Sequence, residues 1–304
     1  MNSTTFKSGF VTIVGRPNVG KSTFLNHVLK TKIAITSDKA QTTRNKIQGI
    51  YTTKEEQVIF IDTPGIHKPL HELGKMMNQM SLSSLHYVDL VLFMVDATQK
   101  AGAGDQFIID EIKKADVPTI LVLNKVDMCK DIKRLNEDIE TYKALYPFVG
   151  GITISAKEDF NIDKLLEMVT NELPVGPMYY PHDQITDHPE RFIVSELIRE
   201  KVLQLTKEEV PHSVAVAIES FKVDEENSNR IDIMAVIIVD RPSQKKIIIG
   251  KGGSLIKEIG TLARKDIGLF LGAKVHLELW VKVEENWRNK KSHLKDLGYN
   301  LEEY

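Results

Sequence analysis

A glycine-bounded loop near the amino terminus carries residue types that bind phosphate. It has the pattern G-x-x-x-x-G-K-S and lies between a β-branched run, Phe10–Val14, and a segment of helical character, Thr23–Leu29. In such a unit, backbone N–H groups surround phosphate oxygens, the lysine reaches the β- and γ-phosphates, and the hydroxyl binds Mg²⁺. A glycine turn in another kind of α/β protein is the alternative. The predicted contacts are Gly15, Arg16, Pro17, Asn18, Val19, Gly20, Lys21, Ser22 and Thr23, with Lys21 catalytic and Ser22 a metal ligand.

An acidic residue follows a second predicted strand, Gln57–Ile61. A carboxylate at the carboxyl end of such a strand can hold a water on Mg²⁺, and the N–H of a following glycine can meet a γ-phosphate. An ordinary turn at the end of a strand is the alternative, which the phosphate loop upstream disfavours. The predicted contacts are Asp62, Thr63, Pro64, Gly65 and Ile66, with Asp62 at the metal and Gly65 catalytic.

Two later motifs contain groups that can recognise guanine. The predicted strand Thr119–Leu123 runs into the pattern N-K-x-D. Its aspartate can accept hydrogen bonds from guanine N1–H and the N2 amine, a pair of donors that adenine lacks. The lysine stem can lie on the base, the asparagine can brace the loops, and an N–H of a later S-A-K loop can meet guanine O6. The predicted base contacts are Asn124, Lys125, Val126, Asp127, Ser155, Ala156 and Lys157.

A mostly parallel sheet is needed to bring these motifs to one edge. Thr31–Arg44 is polar with little periodicity and is predicted to be an exposed loop. Apolar patterning predicts the remaining strands at Lys46–Thr52, Val88–Val95 and Ile152–Ile154, and helices at Asp105–Ala115 and Asn161–Asn171.

The second half begins with a proline-rich stretch, Glu172–Glu190, which has no apolar period and is predicted to be a linker. The following pattern predicts helix, strand, strand, a G-x-x-G turn, helix, strand and a final helix. Their predicted ranges are Arg191–Leu205, Val214–Phe221, Ile231–Val239, Gly250–Gly253, Ser254–Ile267, Val275–Val283 and Glu285–Asp296, with a polar connection at Val223–Arg230.

That order is typical of a type II KH domain, whose G-x-x-G turn holds the backbone of about four single-stranded nucleotides. Seven basic residues and one acid lie between Arg241 and Lys265, a local formal charge of +6. A solvated helix face in a protein–protein module is the alternative. The predicted RNA contacts are Lys245, Lys246, Ile249, Gly250, Lys251, Gly252, Gly253, Ile256 and Lys257.

Composition limits the class of protein. The chain has 304 residues, enough for two domains, and a formal net charge of −2, so a nucleic-acid site must be local. The single cysteine, Cys129, excludes an intrachain disulfide framework and suits a reducing cytosol. Apolar runs at Val88–Val95 and Ile231–Val239 are too short to cross a bilayer, and the start lacks a signal-peptide core. The nine histidines lack metal-ligand spacing.

Taken together, the motifs resemble the Era family of bacterial GTPases over nearly the whole chain. The resemblance rests on Gly15–Ser22, Gln41–Arg44, Asp62–Gly65, Asn124–Asp127, Ser155–Lys157, Tyr179–Pro181 and Pro211–Val216. It implies a Ras-like α/β P-loop GTPase domain at 1–173, a linker at 174–190 and an α+β type II KH domain at 191–304. It also implies GTP hydrolysis with Mg²⁺ and binding to the 3′ end of 16S ribosomal RNA and the small ribosomal subunit during subunit assembly. The expected protein is a cytoplasmic monomer, with peripheral membrane contact left open.

The resemblance assigns roles to the loops as well. Thr43, with Thr42 as the near alternative, is expected to join Mg²⁺ in the triphosphate state and to be catalytic; Lys32–Arg44 would be switch I and Ile66–His86 switch II. Ile66 stands where Ras-like enzymes carry a water-orienting glutamine, so slow intrinsic turnover is expected. Some related GTPases use the asparagine at the position of Asn18 to help hold K⁺; a turn-stabilising asparagine is the alternative.

Two other functions remain open from the sequence. One is a binding module in which the nucleotide is structural and hydrolysis incidental. The other is a signalling or cell-cycle GTPase, associated with the membrane, whose KH fold contacts protein. Intact Lys21, Ser22 and Asp62 favour turnover, and the basic stretch favours RNA.

Overall fold

The computed structural model describes residues 5–39, 41–224 and 229–299, so part of the predicted connection Val223–Arg230 lies outside the described residues. The chain forms two compact units. The first comprises Met1–Ala34, Thr43–Lys68 and Met77–Asp187, and the second comprises Ile35–Thr42, Pro69–Met76 and His188–Tyr304. Across the described residues, no helix is long and apolar enough to cross a membrane.

A six-stranded sheet forms the centre of the first unit. Its strands are β1 Lys7–Val14, β2 Ile47–Thr52, β3 Glu56–Asp62, β4 Leu90–Asp96, β5 Thr119–Asn124 and β6 Gly150–Thr153. They lie in the order β2-β3-β1-β4-β5-β6, and every pair is parallel except β2 with β3. The mostly apolar, fully buried sequences of β4 and β5 are typical of parallel strands that are buried on both faces. The predicted α/β domain with a mostly parallel sheet is confirmed.

The described residues up to Asp187 form five α-helices: α1 Lys21–Leu29, α2 Glu72–Ser83, α3 Ala103–Ala115, α4 Ile132–Leu145 and α5 Ile162–Glu172. The sequence interpretation assigned no helix to the ranges of α2 and α4. In α4 the apolar residues Leu135, Ile139, Tyr142 and Leu145 recur at helical spacing and pack against the core, so the sequence contained a helical period that the interpretation did not assign.

The stretch predicted as an exposed loop, Thr31–Arg44, is irregular, but the prediction of exposure is wrong for much of it. Ile33, Ala34 and Ile35 are buried. The Asn26 side chain in α1 accepts hydrogen bonds from the N–H groups of Ile33 and Ala34 at 3.0 and 2.9 Å and donates to the Ala34 carbonyl at 2.6 Å. A non-periodic segment is therefore buried because one helical amide satisfies its backbone groups.

The proline-rich stretch belongs to the first unit as far as Asp187. Its backbone is bound by Gln57, a wholly buried residue in β3. Gln57 Oε1 accepts from the N–H groups of Tyr179 and Tyr180 at 2.8 and 3.0 Å, and Gln57 Nε2 donates to the Tyr180 carbonyl at 2.9 Å. This part of the stretch is thus an extended segment fixed to β3 of the first unit.

The second unit has the predicted type II KH order. Its elements are α6 Glu190–Leu205, β7 Val214–Val223, β8 Arg230–Val239, α7 Pro242–Ile249, α8 Ser254–Leu271, β9 Lys274–Val283 and α9 Lys291–Asp296. The sheet has the order β7-β8-β9, with β7 and β8 antiparallel and β8 and β9 parallel.

Two local outcomes differ from simple propensity. The β-branched run Ile247–Ile249 forms the last turn of helix α7 and not a strand. The helix is started upstream, where Pro242 occupies the first turn and Gln244 Oε1 accepts the Arg241 N–H at 3.0 Å. The predicted final helix Glu285–Asp296 is interrupted. Asn286 adopts a left-handed conformation, φ 59°, before a short 3₁₀ turn that buries Trp287 and precedes α9.

Candidate nucleotide site and nucleic-acid interface

The phosphate loop follows β1 and ends at the first turn of α1. Gly20, at the N-terminus of α1, has φ 103°, a conformation that favours glycine. A Cβ on Gly15 would lie 2.2 Å from the Met94 carbonyl oxygen in β4. These two positions therefore require glycine, and the loop directs the N–H groups at the start of α1 outward, as anion binding requires.

Lys21 lies buried over this loop. Its Nζ donates to the carbonyl oxygens of Arg16 at 3.1 Å and Gly15 at 3.3 Å. Burial lowers the pKa of Lys21 to about 8, against the opposing attraction of Asp62. A buried ammonium whose partners are mostly neutral carbonyls is poised to gain stability from an anion.

Three polar side chains meet beside Lys21. Ser22 Oγ donates to Asp62 Oδ2 at 2.6 Å and lies 2.9 Å from Thr43 Oγ1. Burial raises the pKa of Asp62 to about 6, although Lys21 and Ser22 oppose the shift. Among the described residues, Asp62 Oδ1 is buried without a hydrogen-bond partner. One carboxylate and two hydroxyls are hard oxygen donors, so the donor set fits a Mg²⁺ ion that keeps waters and phosphate oxygens as its other ligands.

The structure distinguishes the two candidate threonines. The Thr42 hydroxyl donates to the Lys39 carbonyl at 2.6 Å, whereas the Thr43 hydroxyl is the one beside Ser22. The described residues contain no group of three or more His, Cys, Asp or Glu side chains that could hold a metal ion. A metal at the phosphate loop would therefore depend on hydroxyls and phosphate as well as Asp62.

The stretch after β3 packs against the phosphate loop. A Cβ on Gly65 would lie 2.6 Å from Pro17 Cα, and the Ile66 N–H donates to the Gly15 carbonyl at 3.4 Å. Thr63 Oγ1 donates to the Ile13 carbonyl at 2.8 Å. The Ile66 side chain is only 5% exposed and belongs to the core. The interpretation of Ile66 as a packing residue is therefore supported.

Asn124 joins three of the predicted motifs. Its Nδ2 donates to the Val19 carbonyl at 2.9 Å, and its Oδ1 accepts from the Ala156 N–H at 3.0 Å. The side chain thus connects the phosphate loop, the N-K-x-D motif and the S-A-K loop, which is the bracing role predicted for it.

Lys125 adds a second connection. It has φ 67°, and its Nζ donates to the Asn18 carbonyl at 2.6 Å and to Asp96 Oδ2 at 2.7 Å. Burial alone would raise the pKa of Asp96, but hydrogen bonds from Lys125 and Thr98 hold it below its usual range. The Lys125 ammonium is therefore held by two groups, which restricts the position of its aliphatic stem. Three other residues predicted to contact the base, Val126, Asp127 and Ser155, lie in the N-K-x-D and S-A-K loops that Asn124 connects.

The sequence interpretation missed the partner of Arg16. Arg16 Nε donates to Asp105 Oδ1 at 2.9 Å, and Asp105 Oδ2 accepts the Gly102 N–H at 3.0 Å at the start of α3. A Cβ on Gly104 would lie 3.0 Å from Arg16 Cδ. An acidic residue at the third position of a helix gave a weak capping signal, but nothing local identified a partner in the phosphate loop.

The G-x-x-G turn of the second unit is open to solvent. Gly250, Gly252 and Gly253 have φ of 73°, 60° and 79°, and a Cβ added to Gly252 or Gly253 would meet nothing within 4 Å. Lys246, Lys251 and Lys257 are exposed beside it, and Lys245, Ile249 and Ile256 are half-buried. The structure therefore brings all of the predicted RNA contacts to α7, the turn and the first turn of α8.

A groove of about 370 Å³ continues from this turn between α8 and β9. It is lined by Ile256, Lys257, Gly260, Thr261, Arg264, Leu277 and Leu279. The sequence interpretation missed the strand side of the groove. Alternation along β9 indicates which of its residues face the helices, but only the parallel pairing of β8 with β9 places the strand beside α8.

The fold and the site define a P-loop GTPase unit joined to a KH unit. The family model described as a 50S ribosome-binding GTPase matches residues 10–125, and the KH-domain model matches residues 209–288. Among solved structures, a variant of Era from Aquifex aeolicus bound to GDP and AlF4⁻ is 43% identical, with a TM-score of 0.94, over 97% of this chain and 100% of that chain. Era in complex with MgGDPNP and nucleotides 1506–1542 of 16S ribosomal RNA is 43% identical over the same shares, with a TM-score of 0.93.

The chain therefore belongs to the Era family, and it is a GTPase.

Proposed function

We propose that this protein is a GTP-hydrolysing switch that binds the 3′ end of 16S ribosomal RNA and acts in assembly of the small ribosomal subunit in the cytoplasm. The observation that carries the RNA assignment is the open, basic G-x-x-G turn, in a chain 43% identical to an Era that was crystallised with that RNA. The formal net charge of the whole chain, −2, gives no such support, whereas the local charge of +6 between Arg241 and Lys265 does.

The phosphate end of GTP is assigned to the phosphate loop. Lys21 would exchange its two carbonyl partners for the β- and γ-phosphates, and N–H groups from Asn18 to Thr23 would surround the β-phosphate. When bound, Mg²⁺ neutralises charge that develops on the phosphate oxygens. Ser22 and Thr43 would hold it directly, and Asp62 would hold it through water.

Base recognition is assigned to the loops that Asn124 connects. Asp127 would accept from guanine N1–H and N2, and the stem of Lys125 would cover the base. Gly65 would donate its N–H to the γ-phosphate. The side chain of Ile66 has no hydrogen-bonding group, so it cannot orient the attacking water. Turnover is therefore expected to be slow until another group supplies that function; K⁺ held beside Asn18 is one candidate.

The test is RNA binding with a single-stranded oligonucleotide matching the 3′ end of 16S ribosomal RNA. We expect affinity to fall as salt rises, because backbone contacts release counterions. The variant Gly252→Asp with Gly253→Asp places two carboxylates in open space where phosphates must pass, so RNA binding should be lost while GDP affinity stays within threefold. Lys290→Asp, an exposed charge reversal in the same unit, is the control.

Three results would contradict the proposal. Undiminished RNA binding by the double variant would remove the turn from the interface. Failure of the native protein to bind the oligonucleotide, together with capture of a protein partner, would favour the signalling alternative. If RNA binds but changes neither GTP affinity nor turnover, the two activities are uncoupled, because coupling in binding free energy is reciprocal.

A further inference from the structure

Helix α6 carries a cluster of buried charges that the proposed GTPase chemistry does not use. Glu196, Arg199, Glu200 and Lys201, here called the α6 cluster, are all less than 9% exposed, and Arg199 and Glu200 are at 1% and 0%. Burying charges is costly unless each one finds a partner, and replacing a buried ion pair by apolar residues is often neutral or stabilising. Stability alone is therefore a weak explanation for the cluster.

Arg199 holds a backbone carbonyl of the predicted switch I. Its guanidinium is fixed by Glu196, with Nε to Oε1 at 2.7 Å and Nη2 to Oε2 at 2.5 Å. The same Nη2 also donates to the Thr42 carbonyl. The stretch Ile35–Thr42 belongs to the second unit, as α6 does, so this contact is internal to that unit.

Glu200 holds the other end of the same stretch. Its Oε1 accepts from the Thr36 N–H at 2.9 Å, and its Oε2 accepts from Lys201 Nζ at 2.9 Å. Lys201 in turn pairs with Asp266 of α8 at 2.5 Å. Two successive turns of α6 thus anchor residues 36 and 42, one through a carboxylate and the other through a guanidinium.

The Thr42 anchor also acts on the next residue. The Thr42 carbonyl carbon and oxygen are coplanar with the nitrogen and Cα of Thr43, because the peptide bond does not rotate freely. Fixing that oxygen restricts the plane in which Thr43 Cα lies. Thr43 in turn has its hydroxyl 2.9 Å from Ser22 Oγ, at the position assigned to the metal.

We propose that Arg199 is a positioning residue for Thr43: held by Glu196, it fixes the Thr42 carbonyl and so presents the Thr43 hydroxyl to the Mg²⁺ of bound GTP. This inference rests on the proposed metal role of Thr43. It makes the triphosphate state, and not the diphosphate state, sensitive to a side chain of α6.

The experiment is a double-mutant cycle between Arg199→Met and Thr43→Val in the full chain. Affinities for Mg²⁺ with GDP and with a non-hydrolysable GTP analogue are measured for the four proteins, along with kcat. Thr43→Val should lower the ratio of GTP-analogue to GDP affinity about tenfold, and Arg199→Met should lower it by a similar factor, each at nearly unchanged GDP affinity. In the Thr43→Val background, Arg199→Met should have no further effect on the ratio.

Arg288→Met is the matched control, because Arg288 is a mostly buried arginine of the same unit whose guanidinium binds Asp240 and the His212 carbonyl. It should lower thermal stability but leave the affinity ratio unchanged. Arg199→Lys keeps the charge without the planar fork and should give an intermediate ratio; it replaces Arg199→Met in the cycle if that variant does not fold.

Two outcomes would overturn the inference, and they are distinguishable. If the Arg199 variants lower the ratio equally in both backgrounds, or leave it unchanged, Arg199 does not act through Thr43, and the proposed metal role of Thr43 survives. If Thr43→Val itself leaves the ratio unchanged, the metal role fails, and the inference fails with it.

Discussion

Asn124→Ala tests whether one buried amide organises the nucleotide site before the nucleotide arrives. The side chain is 2% exposed and makes two hydrogen bonds to backbone groups, the Val19 carbonyl and the Ala156 N–H. Alanine removes both and leaves two buried backbone groups without these partners. The variant should therefore weaken the binding of both GDP and GTP. A change at Thr43, in contrast, is expected to weaken the binding of GTP alone.

The magnitude follows from the two bonds. Leaving a buried donor or acceptor unsatisfied costs about 1–3 kcal/mol, and the two groups together give about 2–4 kcal/mol when partial relaxation is allowed. If the nucleotide must provide this free energy to order the loops, affinity for GDP falls by about 30- to 700-fold, at about 1.4 kcal/mol per factor of ten. Asn124→Asp should be at least as damaging, because a carboxylate oxygen would face the Val19 carbonyl.

The assay is equilibrium binding of a fluorescent GDP, with thermal unfolding measured on the same samples. Asn136→Ala, an exposed asparagine in α4, is the control and should bind GDP normally. A GDP affinity within threefold of the native value for a folded Asn124→Ala protein would refute the bracing role, because the site would then form without either bond.

Three further predictions follow from the site. Asp127→Asn should shift preference from GTP to XTP, with a loss of GTP affinity equivalent to about 2–4 kcal/mol; competition among GTP, XTP and ATP measures it, and equal native affinity for ATP would exclude guanine recognition. Ile66→Ala should lower the free energy of unfolding by about 2–4 kcal/mol, because a buried side chain is truncated, but should change turnover little at a temperature where the protein is folded. A fall in kcat of more than about a hundredfold, about 2.7 kcal/mol in barrier, would instead place Ile66 at the reacting water. If Asn18 helps hold K⁺, replacing Na⁺ by K⁺ at constant ionic strength should raise kcat and Asn18→Ala should abolish the difference; identical rates in both salts return Asn18 to a turn-forming role, for which its φ of 63° already provides a reason.

The motifs of the nucleotide site and the order of the elements could be predicted because both are local in sequence. Apolar periods mark strands and helices, and a parallel sheet brings the ends of its strands to one edge. Asp62 ends β3 and Asn124 ends β5, as expected from strand patterns alone. The glycines of the G-x-x-G turn were identifiable for the same reason, since positive φ restricts the residue type at those positions.

Tertiary structure alone decided which residues outside the motifs are buried and what they hold. Ile33 and Ala34 can be buried because Asn26 satisfies their backbone groups. Gln57 can be buried because its amide is hydrogen-bonded to the backbone of Tyr179 and Tyr180. Likewise, Arg199 looks like any charged residue of an amphipathic helix until the chain brings Thr42 to it. A hydrogen-bond partner far away in sequence leaves no periodic trace, so a pattern can predict an element but not the polar contacts that bring distant segments together.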